Sequence, residues 1–429
     1  LARLAPETLE GLGGRADAHL VVSGDVDTRP QGTLSASVRE GRFRGASGVE
    51  GRAELELSGE TLRTDVRFDL GEDGRVSARG DVQLISAALR DPSRIVRDAD
   101  LSGLHVETDD LGLGPILALA NVTAPVAGRI TTSVRLGGTA EHPEIRDAIL
   151  VLDSIAPAGW DPVRLKARLT YTEERLRASR VWVANRGGEL ASGTADIPFS
   201  LADPPSDLRS FWRSLSASTW TADVRLPPRR MDTWPRPLRD QLPPGILLAA
   251  QLRASGDATG PHATYSALAR VVEIADEQAR CSAELDPHVT LEGRLDGAVA
   301  TATLLGYTGD SDPVAQGSVV ANLPLDQWIA EGDVAEFPGT EVPLDLLGAE
   351  MSAIPYACTY GAGPVHGTLT AKDVLTANPV VGAIVDLPRL QVWQRAGHRG
   401  VARLTDAFRV HARAGSSPSR DALTACVIL

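Results

Sequence analysis

Lysine is nearly missing from this chain. Of its 43 basic residues only Lys166 and Lys372 are lysines, and the others are arginines. Positive charge is short altogether, since 56 acidic residues leave a net charge of −13. That balance argues against a nucleic-acid partner, whose recognition calls for a basic stripe. It also provides no general attraction to anionic lipid headgroups. Cysteine is scarce: Cys281, Cys358 and Cys426 are too few and too scattered for a disulfide framework or a zinc site. Aromatic residues make up only 4%, so Leu, Val, Ala and Ile must build any apolar surface. The hydrophobic fraction of 43% is enough for an extensive one, and it excludes wholesale disorder.

A membrane-spanning run is missing as well. The long uncharged stretch 111–128 holds three glycines, two prolines and an asparagine. A spanning helix needs about 20 predominantly apolar residues. The chain opens at Leu1 without a basic-then-apolar signal segment. The expectation is a fragment whose N-terminal anchor lies outside it; a soluble cytoplasmic protein is the alternative.

Catalytic patterns are lacking too. The histidines (19, 105, 142, 262, 288, 366, 398 and 411) show no helical metal spacing, and no HExxH, GxSxG or P-loop occurs. His142 and His262 stand beside prolines of a repeat and read as solvated turn residues. Gly309-Asp310-Ser311-Asp312-Pro313 starts like a calcium loop, but the remaining ligand pattern is missing. Asp109-Asp110 and Glu173-Glu174 read as acids beside turns rather than as a glycosidase pair. The sequence therefore points to no catalytic, cofactor-binding or metal residue, and to no enzyme.

What the chain does have is a long repeat. Gly14 opens a strand that leads to Gly24 and Pro30; Gly128 leads likewise to Gly138 and Pro143, and Gly245 to Gly256 and Pro261. The prolines lie 113 and 118 residues apart, which suggests an array rather than a compact enzyme domain. Each opening follows a leucine- and proline-bearing lead-in, compatible with a short helix or turn.

Between the openings the pattern has period two. Leu62, Thr64, Val66, Phe68 and Leu70 share one face, while Arg63, Asp65, Arg67 and Asp69 alternate in sign on the other. Gly71–Gly74 then reads as a hairpin turn. Val163–Thr172 repeats the alternation, pairs with Leu176–Val183 through Glu173-Glu174, and is followed by a strand over 190–201. Residues 202–244 form a Pro/Trp-rich insertion with a short helix near 206–215. Strands resume at 246–254, 264–274, 279–285, 288–295, 298–305 and 316–323, and 326–333 reads as a helical re-entry. Beyond 335 the pattern loosens, with 367–371 a worn strand start. At about 12 residues per strand and turn there is room for roughly 35 strands.

These motifs resemble the repetitive region of the TamB / AsmA-like bridge-type lipid transfer family of the Gram-negative envelope. Gly187–Leu201 (GGELASGTADIPFSL) and Gln316–Ile329 (QGSVVANLPLDQWI) are also similar to that family's phrasing. The likeness covers most of 1–330, weakens to about 387, and is absent from the last forty or so residues. It implies a periplasmic protein anchored in the inner membrane, with an elongated, curved β-sheet around an apolar groove. The implied partners are phospholipid acyl chains and an outer-membrane barrel protein of the TamA/BamA type.

The expected fold is all-β, a repetitive antiparallel sheet forming a taco-like groove, with a few short helices at the repeat openings. It occupies 1–387, with openings near 14, 128 and 245. A basic tail at 388–429 follows, readable as a helix, a partner-binding end or an artefact. Strands apolar on one face need a cover, which a second sheet, closure or curling can supply. Helix signals are too sparse to provide it, and the repeat suggests extension. Val66, Phe68, Leu165, Leu169, Ile197 and Phe199 are expected to line the groove; a dry β-core is the structural alternative. The expected activity is phospholipid passage between the two membranes. The alternative is a chaperone-like scaffold that assists outer-membrane protein assembly by strand addition. A β-solenoid enzyme would need a short coil period and an acidic cluster, and neither occurs.

Overall fold

A computed structural model describes residues 13–24, 31–43, 46–84, 97–114, 127–156, 161–201, 208–239, 245–257, 259–273, 286–309, 312–323, 325, 341–353, 361–372, 380–389, 391–395, 398–403, 408–415 and 424–428. The chain forms two compact units, Leu1–Pro204 with Pro235–Pro237, and Pro205–Trp234 with Leu238–Leu429.

The first unit is a meander of β1 (Gly13–Ser23), β2 (Gln31–Phe43), β3 (Ala46–Ser58), β4 (Thr61–Asp69), β5 (Arg75–Gln83) and β6 (Asp100–Gly112). It continues through β7 (Ala127–Gly138), β8 (Pro143–Ala156), β9 (Val163–Thr172), β10 (Arg175–Asn185) and β11 (Gly188–Pro198). Each strand pairs antiparallel with the next. Among the described residues β1 pairs with β2 alone, so this sheet does not close into a barrel. Ten inter-strand spacings of about 4.8 Å carry it across on the order of 50 Å.

The second unit follows the same plan. Its strands are β12 (Trp220–Arg230), β13 (Ile246–Asp257), β14 (Gly260–Val271), β15 (His288–Asp296), β16 (Val299–Tyr307), β17 (Ala315–Asn322) and β18 (Glu341–Glu350). After β19 (Gly361–Ala362) come β20 (Pro364–Lys372), β21 (Val380–Leu387), β22 (Gln391–Arg395), β23 (His398–Arg403), β24 (Phe408–Gly415) and β25 (Thr424–Ile428). β18 pairs with β20, β20 with β21, β21 with β24 and β24 with β25, while β19, β22 and β23 form a separate small sheet. Of the three readings of the basic tail, the helix is not formed at these described strands. Helix elsewhere is short: α1 (Leu208–Ser216), in the place the sequence indicates, and the turn α2 (Arg236–Arg239) in the third lead-in. No helix among the described residues is long and apolar enough to cross a membrane.

The fold is thus all-β and antiparallel, as the alternation requires. β4 and β9 fall where period two places them, and the Gly71–Asp73 turn closes with Leu70 N–H donating to Gly74 O at 2.8 Å. Among the described residues 25 strands are defined, against the roughly 35 that about 12 residues per strand and turn would allow. The expected strand at 279–285, the re-entry at 326–333 and most of the lead-ins lie outside the described residues.

The recurring glycines now have a structural period. Gly14 lies in β1, Gly128 in β7, and Gly245 directly precedes β13, so the repeat is six strands long. Gly245 is needed for space. Its carbonyl accepts from the N–H groups of Val272 and Glu273 at 2.8 and 3.2 Å, and an added Cβ would meet Glu273 O at 1.7 Å.

One turn departs from the usual chemistry. Glu173 and Glu174 join β9 to β10 with φ of 53° and 56°, the left-handed geometry that two-residue hairpins normally give to Asn-Gly. A left-handed non-glycine residue costs roughly 1–2 kcal/mol. Replacing the pair with Asn-Gly should stabilise the protein by about 1–2 kcal/mol. A rise in the urea midpoint at unchanged slope would show it; no rise would mean that the glutamates gain elsewhere what the backbone loses.

Candidate functional site: an apolar sheet face

Directly paired residues of an antiparallel sheet point to the same face, so the register shows which side chains lie in one row. In the first unit one row begins Ala18–Ala36–Ala53–Val66–Ala78–Val106. It continues Val134–Ala148–Leu169–Ala178–Ala195, crossing all eleven strands without a polar side chain. Two of the expected lining residues, Val66 and Leu169, therefore share a row although 103 positions separate them (169 − 66).

The other expected residues lie in flanking rows. Phe68 pairs with Gly51 and Val76, and its ring fills the space a side chain at residue 51 would need. Leu165 lies between Leu152 and Val183. Ile197 pairs with Leu176, which pairs with Tyr171. Phe199 stands just past the end of β11, where its N–H donates to Glu174 O at 2.8 Å. The register thus brings Val66, Phe68, Leu165, Leu169 and Ile197 onto one face and leaves Phe199 at its margin.

This face is only partly covered. Val66, Leu165, Leu169, Ile197 and Phe199 are half-buried, and Phe68 retains 37% of its surface exposed. The small or backed side chains Ala148, Ala167 and Tyr171 are buried. At one end Val82, Leu84 and Ala99 form a core patch with Leu57, Leu62, Leu101 and Leu104. Among the described residues of this unit no helix longer than a single turn lies over the rest of the face.

The second unit repeats the arrangement. Its row runs Leu226–Ala250–Ala267–Leu291–Leu304–Gly317 and on through Leu344, Leu369 and Ala383. On the same face Val224 and Leu252 pair with each other and stay 37% and 40% exposed.

The opposite face is charged. Arg67 donates to Asp65 at 3.1 and 3.0 Å, Arg75 to Asp69 at 3.1 Å, and Arg168 to Asp147 at 2.8 and 3.2 Å. Arg164 pairs with Asp153, and Lys166 lies 5.7 Å from the Trp182 ring. In the second unit Arg253 reaches Asp223 at 3.1 Å and His262 reaches Asp296 at 2.8 Å. Exposed pairs of this kind contribute little each, about 0–1 kcal/mol. Their consequence is a face that stays wetted while the other stays apolar.

Acid should loosen this face. Asp147 is held below the usual carboxylate range chiefly by its hydrogen bond from Arg168. The hydroxyl and N–H of Ser102 do the same for Asp100, and the N–H of Gly71 with Arg75 for Asp69. A depressed folded-state pKa gives stability that is complete above the unfolded value, about 3.9, and is lost as pH falls through the folded one. The urea midpoint should hold from about pH 7 to 5 and drop below about pH 4. Asp147→Asn should flatten that drop; an unchanged profile would remove Asp147 from the account.

Three features were beyond sequence reasoning. The alanine-rich row carries no strong alternation signal, because alanine occurs on either face. Asp109-Asp110 lies not beside a turn but at a register shift inside β6, where Asp110 has φ of 49° and accepts from Arg129 at 2.5 Å. In β10 the register shifts between Ala178 and Arg180, so Leu176 and Ala178 share a face with Val181 and Val183 despite opposite parity. His105 touches both Glu107 and Ser133, but through the same ring nitrogen, so the three do not make a relay. No protein-family model, curated protein or solved structure matches the chain.

Proposed function

We propose that the apolar sheet faces hold lipid acyl chains, and that the chain is a segment of a bridge-type lipid transfer protein of the TamB / AsmA-like kind. The observation that carries this reading is the uninterrupted apolar row across eleven strands, half-buried from β2 to β11 except at the buried Ala148, and backed by a charged opposite face. Each CH₂ taken from water onto such a face gains roughly 0.8 kcal/mol, so an acyl chain is held without any specific pocket. The process is passive shielding rather than catalysis: acyl chains lie on the apolar face and headgroups stay in water. On this reading the full protein works in the periplasm, anchored at the inner membrane, and passes phospholipid towards an outer-membrane barrel partner.

The test is native mass spectrometry with lipid extraction on gently purified protein. Copurified phospholipid in several copies per chain is the expected result. A clean lipid-free mass from protein with a sheet-rich circular dichroism spectrum would count against it.

A second reading, strand addition to outer-membrane proteins, rests on β1. Every residue of that strand is exposed, with Leu20 and Val22 at 64% and 65%, and among the described residues it pairs on one side only. Cross-links from β1 to nascent barrel strands, with no copurified lipid, would favour it.

A further inference from the structure

The charged side chains of the first unit border a cavity. Its volume is about 680 Å³, it lies over β2–β6, and Val38, Gly51, Phe68 and Val76 line it beside the charged residues. The register places four of its lining residues in a single row across adjacent strands: Ser37 pairs with Arg52, Arg52 with Arg67, and Arg67 with Ser77. Two guanidinium side chains therefore stand directly opposite each other between two hydroxyls. Like charges in that relation repel and destabilise a sheet unless something neutralises them.

Their existing partners do so only in part. Arg67 uses Nε and Nη2 on Asp65, and Arg52 uses Nη2 on Glu54. Glu54 and Asp65 belong to the neighbouring row and do not line the cavity. Both Nη1 groups and both serine hydroxyls are left without a partner among the described residues. The forked donors of arginine match an oxyanion with several acceptor oxygens, and the serines supply two more donors. Glu50 and Asp109, also lining the cavity, suit hydroxyl or ammonium groups attached to that anion.

We infer that this cavity binds the phosphate group of a polar phosphoester, with Arg52, Arg67, Ser37 and Ser77 as its donors. The phosphoester can be a soluble molecule or a lipid headgroup presented by a membrane surface, and the chemistry of recognition is the same.

Inorganic phosphate titrated into the protein at low ionic strength, followed by calorimetry, is the first arm of the test. Saturable binding at one site per chain is expected. It should weaken at least about tenfold in R52Q/R67Q, and several-fold in S37A/S77A, which leaves the charges in place. R253Q, which removes an equally exposed arginine in the second unit, should bind as wild type. Flotation with phosphatidylcholine vesicles, with and without phosphatidic acid, is the second arm. Flotation that needs both phosphatidic acid and Arg52/Arg67 assigns the headgroup; phosphate binding without flotation assigns a soluble phosphoester. No saturable binding by folded wild type, or equal binding by R52Q/R67Q, overturns the proposal. Neither result bears on acyl chains held along the central row, because none of Ala36, Ala53, Val66, Ala78 and Val106 lines the cavity.

Discussion

Aspartate at both Leu165 and Leu169 will strip the protein of copurified lipid, while R164Q and K166Q will leave the lipid content as it is. Leu169 lies in the central apolar row between Ala148 and Ala178, and Leu165 in the next row between Leu152 and Val183. An unpaired carboxylate held against hydrocarbon costs several kcal/mol, and each 1.4 kcal/mol is tenfold in occupancy. The lipid recovered should therefore fall by far more than about tenfold. Arg164 and Lys166 alternate with these leucines and are engaged on the charged face, with Asp153 and the Trp182 ring.

The sharper control is Ile149→Asp. Ile149 is as apolar as the leucines and 53% exposed, but its register partner is Arg168, on the charged face. The same chemical change there should retain lipid. Circular dichroism and urea unfolding must show all variants folded. Equal lipid loss in I149D and L165D/L169D would sink the one-sided reading and return the apolar row to the role of a dry core.

The largest expected effect on stability comes from a single methyl group. Gly80→Ala should cost at least about 3 kcal/mol, whereas Gly59→Ala should cost about 1 kcal/mol. Both glycines have positive φ, 139° and 62°, and so share the backbone penalty of a side chain there. They differ in space. A Cβ at residue 80 would meet Gly103 O at 1.9 Å, across the β5–β6 pairing, while one at residue 59 meets nothing within 4 Å. Relief at residue 80 requires the backbones of β5 and β6 to separate, which loosens the ladder between them. Urea midpoints of the two variants measure the difference directly. Similar losses would mean that β6 shifts without penalty and that the pairing there is loose.

Much of this architecture was legible from the chain. Nine alternating residues at 62–70 and ten at 163–172 specify strands with one wet face, because side chains in extended backbone alternate strictly. The Gly-to-Gly-to-Pro spacing disclosed a repeat, which the structure counts as six strands. Less was legible where the pattern dilutes. Beyond residue 335 the alternation loosens, yet β18, β20, β21, β24 and β25 continue the same order of pairing. Backbone hydrogen bonding supplies that continuity, and it leaves little trace in side-chain type.

The candidate face shows the same division. Val66 and Leu169 could each be assigned to the apolar side of its own strand, but nothing in the sequence says they share one row. The Arg52–Arg67 juxtaposition was equally hidden, since each arginine looks like one more charge on a solvated face. The sequence by itself determined strand identity, the two chemically opposite faces and the length of the repeat, because these follow from local alternation and turn chemistry. Tertiary structure alone decided which residues meet across strands. Register is set by inter-strand hydrogen bonds, and bulges such as the one between Ala178 and Arg180 reset the parity that a period-two reading assumes constant.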